Sequence, residues 1–139
     1  TINLVITMPN ADTLGSVYRN EINQLKISNP EKVLLVENFG KVNYFNAMFY
    51  STLLIGNTSS GIIEAASFNK YVINVGDRQK GRTHGTNVSN TGFDSFKIIE
   101  IFNNLINEKD LKMDNIYFKK HTARKIITTL KKNIFNDKL

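Results

Sequence analysis

Four short, unbroken apolar runs constrain this chain more than anything else in it. They lie at residues 2–7, 32–36, 52–55 and 71–75. Each has strand length and is rich in aliphatic and β-branched residues, without the in-out alternation of a sheet that faces water on one side. Between them the spacing changes. Leu14, Val17, Tyr18, Ile22 and Leu25 recur at intervals of three and four, as do Tyr44, Phe45, Met48 and Phe49. A third helical segment opens at Ile62. The order β-α-β-α-β-α-β predicts an α/β fold with a Rossmann-like parallel sheet and crossover helices.

After Val75 the pattern breaks. Residues 76–87 hold Gly76, Gly81 and Gly85 among Asp77, Arg78, Lys80, Arg82 and His84, and read as a polar loop leaving the carboxyl end of a strand. Two further helices are predicted, over 95–107 and 114–136. The second sets Phe118, Ile126, Ile127, Leu130 and Ile134 on one side and basic residues on the other. The formal charge of +6 belongs to this tail: seven cations stand against Asp137 alone in residues 117–139, and the rest of the chain is balanced. Nucleic-acid binding is a poor account of that charge. Only Tyr117 and Phe118 interleave with it, and a charged face of an amphipathic helix is ordinarily solvated.

With 139 residues the chain makes one domain. It opens on Thr1 and enters an apolar run at once, so a piece of a longer protein is expected. The absence of cysteine removes disulfides, thiolate metal sites and cysteine nucleophiles. No metal site and no cofactor are expected. No apolar run approaches the length of a membrane span, so the expected compartment is the cytoplasm, without membrane attachment.

Ligands of open parallel sheets bind beyond the carboxyl ends of the strands. Three polar segments fall there: Pro9-Asn10-Ala11-Asp12, Gly56-Asn57-Thr58-Ser59-Ser60-Gly61, and the loop from Gly76. In the second, three hydroxyls and a glycine precede a helix, where small side chains and free N–H groups suit a phosphate. Capping alone would need one hydroxyl; three, with flanking glycines, favour an anion site. Glu64, in the first turn of that helix, has two readings that the residues leave open: compensation of the helix dipole, or acceptance from the vicinal hydroxyls of a ribose. The Asp77–Arg82 stretch is either a solvated charged turn or the source of a cation for a diphosphate. A lone loop histidine such as His84 is commonly just exposed.

In this order the three segments resemble the C-terminal domain of UDP-N-acetylglucosamine 2-epimerases, in the hydrolysing branch that feeds sialic and nonulosonic acid synthesis. The resemblance rests on Pro9-Asn10-Ala11-Asp12, on Ile55-Gly56-Asn57-Thr58-Ser59-Ser60-Gly61-Ile62-Ile63-Glu64, and on Val72-Ile73-Asn74-Val75-Gly76-Asp77-Arg78-Gln79-Lys80-Gly81-Arg82, and covers roughly residues 5–88. It implies the C-terminal half of a two-domain glycosyltransferase-B-like fold. Residues 1–139 would be the UDP-binding C-terminal domain, partial, with its first strand and helix and the N-terminal domain missing. By matching position Asn10, Thr58, Ser59, Ser60 and Arg78 would touch uridine diphosphate and Glu64 the ribose; no catalytic acid or base lies in this piece, which alone should be inactive. The implied partners are a UDP-amino sugar substrate, the protein's own N-terminal domain and further copies in a homo-oligomer. The alternative is the nucleotide-sugar donor domain of a glycosyltransferase of the same general fold. Two departures stand out: Asn69 and Tyr71 replace the family's usual Gly and Pro, and Thr58 its usual Ser.

Overall fold

All four apolar runs form strands, and every strand pairing is parallel. The computed structural model describes residues 2–9, 15–108 and 113–136, with the backbone alone at 135 and 136. The chain divides into two compact units, Thr1–Ala47 and Met48–Leu139. In the first, β1 (Leu4–Thr7) pairs with β2 (Val33–Val36) from Leu4 opposite Val33 to Thr7 opposite Val36. Helix α1 (Gly15–Ser28) makes the crossover between them. Helix α2 (Gly40–Tyr50) follows and runs across the boundary of the two units.

The second unit is built on a three-stranded sheet of β3 (Leu53–Gly56), β4 (Tyr71–Val75) and β5 (Val88–Thr91), with β4 in the centre. Because β4 is paired on both edges, its middle residues are removed from water: Val72 and Asn74 are 3% exposed and Ile73 is 0%. Helix α3 (Ser59–Ile63) and a 3-10 turn (Ala65–Phe68) cross from β3 to β4, burying Ile62, Ala65 and Ala66. Asp94 caps α4 (Ser95–Leu105), accepting from the backbone N–H groups of Phe96 and Lys97.

The first unit thus carries a parallel pair of strands and the second a parallel triplet. Apolar runs and helical spacing specify parallel pairing, but not which strands are neighbours. The structure departs from the sequence reading in three places. A fifth strand, β5, was not foreseen. Three of its four residues are polar, and the β4–β5 crossover is the loop 76–87 rather than a helix. The last helix, α5, begins only at Thr122. Upstream, the side chain of Asn115 accepts from the N–H of Tyr117 at 2.9 Å, a local bond that competes with helix formation, and His121 adopts a left-handed φ of +58°. Finally, Phe118, Ile126, Ile127, Leu130 and Ile134 are each more than half exposed, so the apolar side of α5 is not covered by the described residues.

Two positions show why particular residues are required. Gly61 is buried, and a Cβ there would lie 2.9 Å from Cγ1 of the buried Val72, so α3 approaches β4 as closely as it does only because residue 61 has no side chain. Asn69 closes the 3-10 turn at φ +53°, ψ +48°, with its N–H bonded to the carbonyls of Ala65 and Ala66. Glycine enters this left-handed region freely and asparagine tolerates it, so Asn69 serves where the family it resembles usually has Gly. Gly61→Ala should lower unfolding free energy by about 1–3 kcal/mol. Asn69→Ala should lower it by about 1–2 kcal/mol, whereas Asn69→Gly should change it far less. Denaturant unfolding of the three variants checks both assignments.

Candidate functional site

Strands β3 and β4 are parallel neighbours, so their carboxyl ends lie side by side, at Gly56 and Val75. The chain leaves the first as Asn57-Thr58-Ser59-Ser60 and the second as Gly76-Asp77-Arg78-Gln79. These two segments are joined directly. Gln79, only 6% exposed, donates from Nε2 to the carbonyl of Asn57 at 2.8 Å. Around it the loop is folded by backbone bonds from Lys80 N–H to Asp77 C=O (2.9 Å) and from Arg82 N–H to Gln79 C=O (3.1 Å). Gly76 begins the loop at φ +80°, where an L side chain is strained, while its N–H bonds the carbonyl of Thr91.

Thr58 is the N-cap of α3, its Oγ1 accepting from the N–H of Ser60 at 3.4 Å. One hydroxyl therefore caps, as the plainer reading required. Ser59 is exposed and Ser60 half-buried, both on the first turn. With only five residues, α3 has a small dipole, so any anion here depends on the hydroxyls and on a cation. Arg78 lies on the segment that Gln79 joins to this turn. It is exposed and makes no ion pair or side-chain hydrogen bond among the described residues.

Glu64 does not lie in the first turn of the helix. It closes α3 as its C-cap, at φ −102°, ψ −32°, and its N–H bonds the carbonyl of Ser60. A 3-10 turn takes over there, bringing the small Ala65 and Ala66 against β4. It therefore does not compensate the N-terminus of α3; it stands instead at the N-cap of the 3-10 turn, without a side-chain capping bond. The carboxylate is half-buried, and its Oε2 is buried without a hydrogen-bond partner among the described residues. That leaves acceptor capacity which the described residues do not use. Asn10 lies outside the described residues, together with 11–14.

Sequence reasoning missed three participants. Gln79, read only as part of a charged stretch, is the bridge between the two segments. His84, exposed as expected, ends a side-chain relay. The buried Asn74 donates to Asn90 Oδ1 (2.8 Å), Asn90 Nδ2 lies 2.9 Å from His84 Nε2, and His84 Nδ1 lies 2.9 Å from the carbonyl of Gly85. A neutral ring with its proton on Nδ1 satisfies both contacts, because that carbonyl can only accept. Tyr117 fastens the far side of the loop, its hydroxyl donating to the carbonyl of Thr83 at 2.6 Å. Asn74, a polar residue inside the fourth apolar run, was the available signal for the relay.

In the first unit, Arg19 on α1 reaches the residue before Asn10. Its Nη2 donates to the carbonyl of Pro9 at 2.9 Å, and Nη1 and Nη2 meet the Glu37 carboxylate at 2.6 and 3.1 Å. These hydrogen bonds, followed by the attraction of the charges, hold the Glu37 carboxyl below its ordinary pKa despite some desolvation. Among the described residues no group of His, Asp and Glu could hold a metal ion, and no helix is long and apolar enough to cross a membrane.

The sequence profile of the UDP-N-acetylglucosamine 2-epimerase family matches residues 1–131. A UDP-N,N'-diacetylbacillosamine 2-epimerase (hydrolyzing) of Legionella pneumophila subsp. pneumophila is 32% identical over 130 residues, 94% of this chain and 34% of that protein. A GDP/UDP-N,N'-diacetylbacillosamine 2-epimerase (hydrolyzing) of Campylobacter jejuni is 38% identical over 85 residues, 61% of this chain and 22% of that protein. A polysialic acid biosynthesis protein of Escherichia coli is 36% identical over 93 residues, 64% of this chain and 24% of that protein. The chain thus spans about a third or less of the length of these relatives.

The Arg19–Glu37 pair generates a pH prediction. A carboxyl whose pKa is depressed by folding contributes stability above its unfolded value and loses that contribution as pH falls through the folded one. The pair is exposed, so the contribution is small and screened by salt. An NMR titration should place the Glu37 midpoint below that of an ordinary glutamate, and Arg19→Ala should return it to the ordinary value.

Proposed function

The chain belongs to the UDP-N-acetylglucosamine 2-epimerase family, and from that premise we propose that it is the part of a hydrolysing 2-epimerase that holds the uridine diphosphate of a UDP-linked amino sugar. One observation carries this reading: the Thr58–Ser60 hydroxyls and the uncommitted Arg78 leave the neighbouring carboxyl ends of β3 and β4, and Gln79 bridges the two segments. Two relatives named as hydrolysing 2-epimerases favour this function over a glycosyltransferase donor domain.

The chemistry suits these residues. In the proposed reaction a base removes the C2 proton of the sugar and the C1–oxygen bond to UDP breaks, leaving a glycal. Water then adds, its hydroxyl to C1 and a proton to C2 from the opposite face. The products are UDP and the 2-epimeric free amino sugar, N-acetylmannosamine or a relative. Negative charge grows on the departing diphosphate, so hydroxyl donors and the Arg78 guanidinium that are fixed before reaction stabilise the transition state more than the ground state. Glu64 accepts from the ribose hydroxyls. The acid and base that act at C2 lie upstream of this chain, and the whole works in the cytoplasm as a homo-oligomer. No metal or cofactor takes part.

Calorimetry on variants tests the assignments. Hydrogen bonds to charged groups contribute about 1.5–3 kcal/mol, so Arg78→Ala and Ser59→Ala should each weaken UDP binding about tenfold or more. Glu64→Ala should weaken UDP but leave inorganic diphosphate unchanged or slightly tighter. Equal losses for UDP and diphosphate in Glu64→Ala would remove Glu64 from the ribose.

A further inference from the structure

The bridge itself has a property that packing does not explain. Gln79 is the most buried side chain of the loop's first half, yet it uses only its donor: Nε2 bonds the carbonyl of Asn57, while Oε1 is buried without a partner among the described residues. A buried acceptor left unpaired is a cost to stability, and an apolar side chain of similar size would avoid it. What the glutamine provides instead is a fixed distance. Asn57 immediately precedes the cap Thr58, and Arg78 immediately precedes Gln79. With Gln79 turned inward and held, Arg78 and Lys80 on either side of it are exposed. The backbone bonds Lys80 to Asp77 and Arg82 to Gln79 make the segment a compact turn rather than a floppy one.

We propose that Gln79 is a positioning residue that locks the loop carrying Arg78 to the turn carrying Thr58, Ser59 and Ser60, so that one diphosphate meets the hydroxyls and the guanidinium together. This rests on the UDP site described above. Gln79 touches neither substrate nor the reacting atoms; it acts through Arg78 and through the backbone of Asn57.

Two substitutions in the full-length protein separate this role from simple filling of space. Gln79→Met keeps the length and removes the donor. Gln79→Glu keeps the shape and, when ionised, sets an acceptor against the Asn57 carbonyl. Once protonated, the same carboxyl can donate to that carbonyl and restore the lock. Burial raises a carboxyl's pKa, so this rescue falls in mildly acidic solution. Calorimetry with UDP should show Gln79→Met weaker than wild type by about tenfold. Gln79→Glu should be similarly weak near neutrality, and its ratio to wild type should recover as pH falls. The ratio cancels the protonation of UDP itself. Wild-type affinity in both variants near neutrality, or a Gln79→Glu ratio that does not change with pH, would overturn the proposal while leaving the UDP site standing. Failure of the wild-type protein to bind UDP would instead remove the site, and the role of Gln79 with it. Should Gln79→Met not fold, the pH dependence of Gln79→Glu decides alone.

Discussion

The second unit depends on the double pairing of β4. A strand with neighbours on both edges has its backbone groups satisfied and its two faces free to be buried. Ile73 is wholly buried, and Val72 and Asn74 nearly so. From this strand the rest follows. Val72 sets how closely Gly61, and so the start of α3, can approach. The carboxyl end of β4 launches the loop of Arg78 beside the end of β3. Asn74 hands its side-chain hydrogen bond to Asn90 and thence to His84. The candidate site is thus a consequence of where a central parallel strand ends and of what its neighbour places beside it.

Much of this was legible because strands of a parallel sheet favour continuous apolar runs, although among the described strands only β4 is buried through its middle, and Leu4, Val5, Leu34 and Ile55 are exposed. The four runs announced β1 to β4 and their parallel sense. The fifth strand escaped because three of the four residues in Val88-Ser89-Asn90-Thr91 are polar and because it is reached through a loop without apolar periodicity. The late start of α5 escaped for a different reason: the bond from Tyr117 N–H to the Asn115 side chain and the left-handed backbone at His121 are local events that helical spacing cannot report.

The site divides in the same way. Residue types and their order pointed to Thr58, Ser59, Ser60 and Arg78, and the structure brings their two segments together. Glu64 was placed at a helix start, and in fact ends a five-residue helix; sequence shows that a helix begins, but a close glycine contact and two small alanines decide how soon it tightens. Gln79 was invisible among its charged neighbours. Nothing in Asp-Arg-Gln-Lys distinguishes an inward residue from outward ones, because the turn that sorts them is made of backbone bonds.

The central claim is that the carboxyl ends of β3 and β4 form a single binding site for a nucleoside diphosphate. Backbone amide NMR of the isotope-labelled protein, titrated with UDP, tests it most directly. The account predicts shifts that saturate with one affinity and are shared by the amides of Thr58, Ser59, Ser60, Gly61 and those of Arg78 and Gln79, with α5 unmoved. Shifts confined to one of the two segments, or centred on the basic residues of α5, would contradict it.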